Sequence, residues 1–154
     1  KKYAVSVYNK EKNNGLLRVS TKGPVDYWQE MPAVFAGSRI NLNFTIPNIK
    51  TGLPLRVFDV LGAGGFLLTN FQPELPQYFE NGKDLVWFTS ERELIEKAGY
   101  YLAHEKERER IARNGQEKVR RFHTYMQRIT QMLDILERDG KCHIDEKEKE
   151  GELL

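Results

Sequence analysis

A single cysteine, Cys142, is present in the 154 residues, so no internal disulfide can form and packing alone must hold the fold. Such a chain suits a reducing compartment, and a cytoplasmic protein is expected. Cys142 lies in a polar tail where nothing supplies the setting of a catalytic nucleophile. No apolar run approaches the ~20 residues that a membrane helix needs, and no signal peptide is legible at the start. The opening Lys1-Lys2-Tyr3 carries no methionine and leads at once into an apolar segment, Ala4 to Tyr8, which reads as part of something longer. Also missing are a Gly-x-Gly-x-x-Gly after any strand-like run, an Asp-x-Asp and a histidine cluster. The first absence argues against a nicotinamide-dependent oxidoreductase, and the other two against a bound metal ion. Charge bias is lacking as well: 24 Lys and Arg against 22 Asp and Glu leave +2, too weak a field to designate a partner.

What is present suits one globular domain with a real core, since 40% of the residues are hydrophobic and 11% aromatic. Runs with strand character recur at Tyr3–Tyr8, Leu16–Ser20, Ile40–Phe44, Gly65–Thr69 and Leu85–Phe88. Helical stretches are predicted between them near Tyr27–Gly37, Leu55–Ala63, Glu74–Phe79 and Ser90–Leu102. Strands alternating with helices imply an α/β fold, a Rossmann-like parallel sheet with helices on both faces, because parallel strands need crossover connections. Ligands of such sheets bind at the carboxyl ends of the strands.

After Ala103 the sequence predicts long, densely charged helices, Lys106–Phe122 and His123–Arg138. Ile111, Val119 and Phe122 form a thin apolar stripe on the first; Tyr125, Ile129, Met132, Leu133 and Leu136 form a thicker one on the second. Both stripes are expected to pack on something. The basic cluster Lys118, Arg120, Arg121 and Arg128 is interleaved with Glu105, Glu107, Glu109 and Glu117, as on a solvated face, so no nucleic-acid partner is expected. The domain is expected to span residues 1–138, with 139–154 a charged, flexible tail.

The chemistry concentrates between Asn41 and Thr69. A strand ends in polar residues, a loop holding Gly52 and Pro54 follows, a helix begins, and Gly64-Gly65 makes a tight turn into the next strand. Gly52 permits close backbone approach, and Pro54, at about the first helical position, costs the helix no needed donor. Free amides at the helix start favour a phosphate. Asp59, one turn inside, can accept hydrogen bonds from the vicinal hydroxyls of a ribose, while Arg56 offers a fork of donors to phosphate or sugar oxygens. The alternative is that Arg56 and Asp59 form an ordinary surface pair at helical spacing, worth only ~0.2–0.5 kcal/mol.

From about Lys22 to about Tyr125 the chain resembles the carboxyl-terminal domain of glycosyltransferases of the GT-B fold, and most closely the spore-maturation CgeB type. The resemblance rests on residues in order: Lys22-Gly23-Pro24-Val25, Tyr27, Glu30-Met31-Pro32, Val34-Phe35, Ser38 to Thr45, Gly52 to Gly65, Leu94, Tyr101-Leu102, Glu107-Arg108, Gly115 and His123-Thr124-Tyr125. It implies transfer of a glycosyl group from a nucleoside-diphosphate sugar to an acceptor, in a cleft between this domain and an amino-terminal one. By the resemblance Asp59 holds the ribose, Pro54, Leu55 and Arg56 lie by the diphosphate, and Asn43, Thr45 and Gly52 border the donor sugar and its phosphates. No cofactor and no metal is implied, and the general base belongs to the amino-terminal half.

Two residues depart from the family pattern. Asp59 stands where glutamate is usual, one methylene shorter, and Thr51 stands where many relatives carry a second glutamate that contacts the sugar. Thr51 favours an alternative of another class, a non-catalytic Rossmann-like binding or scaffold module that docks a partner through its helical end. Among the remaining candidates, His123 is read as opening a helix in a capping or packing role, and His104 and His143 as solvated. Tyr27, Trp28 and Phe35 are read as packing residues, with stacking on a nucleobase as the alternative.

Overall fold

The computed structural model describes residues 4–8, 19–46 and 51–139. Two parallel sheets are present among them. The first pairs β1 (Val5–Tyr8) with β2 (Val19–Lys22), Val5 opposite Val19. The second has β3 (Asn41–Asn43), β4 (Leu67–Asn70) and β5 (Val86–Phe88) side by side in chain order. One continuous sheet would be the simplest reading of the sequence; the described strands instead form a pair and a triplet. Tyr3 and the run Leu16–Arg18, predicted as strand, lie outside the described residues, as do the segment 140–154 and with it Cys142 and His143.

Six helices complete the described chain: α1 (Met31–Gly37), α2 (Leu55–Gly62), the single turn α3 (Leu75–Tyr78), α4 (Glu91–Ala103), α5 (Glu105–Phe122) and α6 (Tyr125–Arg138). The helix predicted from Tyr27 begins only at Met31, because Asp26 captures the preceding residues in a turn. Its Oδ1 accepts hydrogen bonds from the amides of Trp28 and Gln29, at 2.9 and 2.6 Å, and Glu30 Oε2 accepts from the Asp26 amide at 2.7 Å. Pro54 is the N-cap of α2, with extended backbone, rather than its first helical residue. Ser90 caps α4 by accepting the Glu93 amide.

The triplet sheet is covered on both faces. Successive residues of a strand point to opposite sides, and here Leu67 and Leu85 join one core with Phe35, Val57, Val60, Leu61, Leu75, Phe79 and Val119. Leu68, Val86 and Phe88 join the other with Phe66, Tyr101, Ile111 and Ala112. Helices α1 and α2 therefore close the first face and α4 the second, while α5 serves both. Leu61, Leu67, Leu68, Leu75, Leu85 and Ile111 are wholly inaccessible, each contributing on the order of 1.5–3 kcal/mol by leaving water. Gly115 lets α5 cross against the backbone before β5: a Cβ there would lie 2.2 Å from the Asp84 carbonyl oxygen.

The last helix departs from expectation. Its apolar stripe is left largely exposed, and no residue of α6 is buried. Tyr125, Met126, Ile129 and Met132 are each at least half exposed.

Candidate functional site

Because β3, β4 and β5 run parallel, their carboxyl ends share one edge, and the loops leading to α2, α3 and α4 rise from it. The edge is stitched by amides. Asn43 Nδ2 donates to Thr69 Oγ1 at 3.0 Å, the Thr45 amide donates to Asn70 Oδ1 at 2.7 Å, and Asn70 Nδ2 returns a bond to the Thr45 carbonyl at 3.3 Å. Asn43 and Thr45 thus hold β3 to β4. The Thr45 hydroxyl is enclosed, without a hydrogen-bond partner among the described residues, and so does not face the open edge.

Beyond this edge Gly52 adopts φ +88°, the left-handed region that a Cβ disfavours, while a Cβ placed there would meet no protein atom. Its glycine is explained by the turn and not by crowding within the protein. Pro54 directs the chain into α2, the Val57 amide returns to the Pro54 carbonyl at 3.0 Å, and no side chain caps the helix start. Leu55 and Arg56 are exposed, so that start is open to solvent. At the far end Gly64, at φ +82°, turns the chain, and the Gly65 amide donates to the Val60 carbonyl at 2.9 Å.

Arg56 and Asp59 do not pair. The Arg56 guanidinium lies over the Phe35 ring, 5.4 Å from its centroid, whereas Asp59 Oδ2 accepts a 2.6 Å hydrogen bond from the Tyr27 hydroxyl. That bond first, then partial burial and the Asp59 charge, raise the Tyr27 phenol above its ordinary range, so Tyr27 stays protonated and donating. Tyr27 and Trp28 are exposed, Trp28 by 79%, and not packing residues as the sequence suggests; only Phe35 of the three is buried. The two rings meet edge to face, their centroids 5.2 Å apart.

His123 closes α5 as its C-cap and does not open α6; its ring lies among Phe58, Tyr78 and Phe79 at 5.6 to 5.7 Å. Arg128 donates to its Nδ1 at 2.6 Å, which requires that nitrogen to be unprotonated. The packing role holds. His104 is exposed and stacked on Tyr100.

Sequence reasoning missed Tyr27 as the partner of Asp59, because the contact spans 32 positions. Only the turn signal at Asp26 could have shown that Tyr27 leaves the helix. Thr69, Gln72 and Asp84, all buried polar residues, were equally silent. Two open hollows, one lined by Tyr78, Phe79, Trp87 and Lys118 among others and one along α5, include none of residues 43–59. Among the described residues no group of three His, Cys, Asp or Glu side chains is placed to hold a metal, and no helix is long and apolar enough to cross a membrane.

In parallel α/β domains ligands bind at the carboxyl edge of the sheet, where the start of α2 is open here. The chain belongs to the glycosyl transferase-like family, whose profile matches residues 3–134. Its fold is that of the carboxyl-terminal domains of GT-B glycosyltransferases. It is similar to the C-terminal domain of a group 1 family glycosyl transferase from Francisella tularensis, with TM-score 0.58 and 15% identity over 70% of this chain and 55% of that one. It is also similar to HepE of Anabaena, solved with UDP-glucose (TM-score 0.60, 18% identity, 77% of this chain and 33% of that one). The same protein solved with UDP and glucose gives TM-score 0.62 and 17% identity over 77% of this chain and 32% of that one. The chain thus spans about half of the first relative and a third of the second. No curated protein matches it significantly.

Proposed function

We propose that the chain is the donor-binding domain of a glycosyltransferase of the CgeB type, taking a sugar from a nucleoside-diphosphate sugar, with uridine as the favoured nucleoside, and passing it to an acceptor. The observation that carries this reading is Asp59, a half-buried carboxylate one turn inside α2, beside exposed Arg56, on a helix whose uncapped start opens at the carboxyl edge of the sheet. The carboxylate takes the ribose. The α2 amides and Arg56 take the diphosphate, whose leaving charge they stabilise as the anomeric carbon–oxygen bond breaks and the acceptor oxygen bonds to that carbon. Pro54, Leu55 and Gly52 shape this approach, while Asn43 and Thr45 act by fixing the edge.

Residues 1–138 make up the donor domain in this reading. An amino-terminal domain of the same protein supplies the facing wall of the cleft, the acceptor site and the base that receives the acceptor proton. The openness of Leu55 and Arg56 supports a second wall of this kind. No metal ion and no further cofactor is required, because helix amides and a guanidinium do the neutralising, and the reaction takes place in the cytoplasm. Titration calorimetry with uridine diphosphate tests the reading: saturable binding is expected, weakened at least about tenfold in Asp59→Ala and in Arg56→Ala. Absence of binding across a panel of nucleoside diphosphates overturns it.

A scaffold module is the second reading, and the largely exposed apolar stripe of α6 favours it. Donor hydrolysis or transfer by the protein selects the enzyme; partner binding with neither activity selects the module.

A further inference from the structure

The Asp59 carboxylate has a hydrogen-bond partner from outside its own helix. Its Oδ2 is held at 2.6 Å by a hydroxyl from a different part of the chain, Tyr27, which the Asp26 turn has lifted out of α1. No hydrogen bond engages Oδ1 among the described residues. We infer that Tyr27 is a positioning residue: by fixing Oδ2 it sets the rotamer of the Asp59 carboxylate, so that Oδ1 is the atom presented to a ribose hydroxyl. This inference rests on the proposed ribose role of Asp59.

Three features support the assignment. The bond is short and charge-assisted, and so stronger than a neutral hydrogen bond. A phenol raised above its ordinary range donates across the whole working pH range. A carboxylate with one oxygen already bound also has one geometry to offer, which lowers the ordering cost when a ligand arrives.

The test is binding of uridine diphosphate, 2′-deoxyuridine diphosphate and 3′-deoxyuridine diphosphate to the protein and its variants by calorimetry. In the unmodified protein, removing the hydroxyl that meets Oδ1 is expected to weaken binding about tenfold. Tyr27→Phe keeps the ring and its edge contact with Trp28 but frees the carboxylate; the penalty for that hydroxyl should fall to about threefold. Asp59→Asn keeps an acceptor for Tyr27 and puts a neutral NH2 donor in place of a charged acceptor at the Oδ1 position, so discrimination should shrink although Tyr27 remains bound. Equal weakening of all three nucleotides in Tyr27→Phe would mean a merely structural role and overturns the inference. So does full discrimination retained in Tyr27→Phe or in Asp59→Asn while Asp59→Ala abolishes it, an outcome that leaves the ribose role standing. If Asp59→Ala changes neither affinity nor discrimination, the ribose role fails and the inference fails with it. Thermal melting of each variant separates loss of fold from loss of binding.

Discussion

At the residue scale, the tightest packing lies where α5 crosses the backbone before β5. A Cβ at Gly115 would meet the Asp84 carbonyl oxygen at 2.2 Å and Leu61 Cδ2 at 2.8 Å. Neither neighbour can give way cheaply, because Leu61 is fully buried and the Asp84 side chain is tied to the Glu80 amide and the Lys118 ammonium. Alanine is the better helix former by roughly 1 kcal/mol, but overpacking of this kind costs about 1–3 kcal/mol and commonly exceeds that gain. Gly115→Ala should therefore lower the urea midpoint, and an unchanged midpoint would show that α5 can move away from β5. The family resemblance singles out Gly115, but helical period and propensity do not show why it must be glycine, because the neighbours that forbid a Cβ come from distant segments. Tyr27 illustrates the same limit. Aromatic character suggests burial, yet the turn over residues 27–30 decides that its ring stands outside and its hydroxyl reaches Asp59.

At the element scale, α6 is the outlier. It carries a complete capping box: the Thr124 hydroxyl accepts the Gln127 amide, and Gln127 Oε1 accepts the Thr124 amide at 2.9 Å. With no buried residue, its stability rests mainly on this cap and on local pairs, and Arg128, against His123 and the Tyr78 ring, ties it to the rest of the domain. Replacing Thr124 by alanine should cost the helix about 1 kcal/mol. Amide exchange across Tyr125–Arg138 should accelerate severalfold while the global melting temperature stays nearly constant; a large global shift would mean that α6 is integral to the core. The stripe was legible in the spacing of Ile129, Met132 and Leu136, whereas the cap was not: the sequence predicts a helix opening at His123, and Thr124 is its N-cap. What the stripe packs against was not legible either, since periodicity reveals that a face is apolar and never what covers it.

At the scale of the whole molecule, His123 sits where α2, α3, α5 and α6 converge, against Phe58, Tyr78 and Phe79, and faces the cations Arg128 and Lys118. Burial first, then the Arg128 and Lys118 charges, lower its imidazole below the usual 6.5. The unfolded chain then binds the proton more readily than the native one, so stability must fall as protons are added. The stabilising contribution is complete above the unfolded value and is lost progressively as the pH drops through the lowered native one. Urea unfolding measured across this range should show a decline that His123→Phe flattens. An identical pH dependence in the variant would assign the effect to other groups.

The amino-acid sequence by itself determined the alternation of strands and helices, the open glycine-proline entry to α2, the Gly64-Gly65 turn and the candidacy of Asp59 and Arg56. These are local matters, set by side-chain period, by φ preference and by the capping chemistry of neighbours in the chain. Only the tertiary structure decided that Asp59 is held by Tyr27 and not by Arg56, that the Asn43 side-chain amide and the Thr45 backbone bond to β4, and that Gly115 must remain bare. Each of these depends on which distant segment arrives at a given atom, and that is fixed by how two cores close around the sheet, for which no single stretch of sequence holds the information.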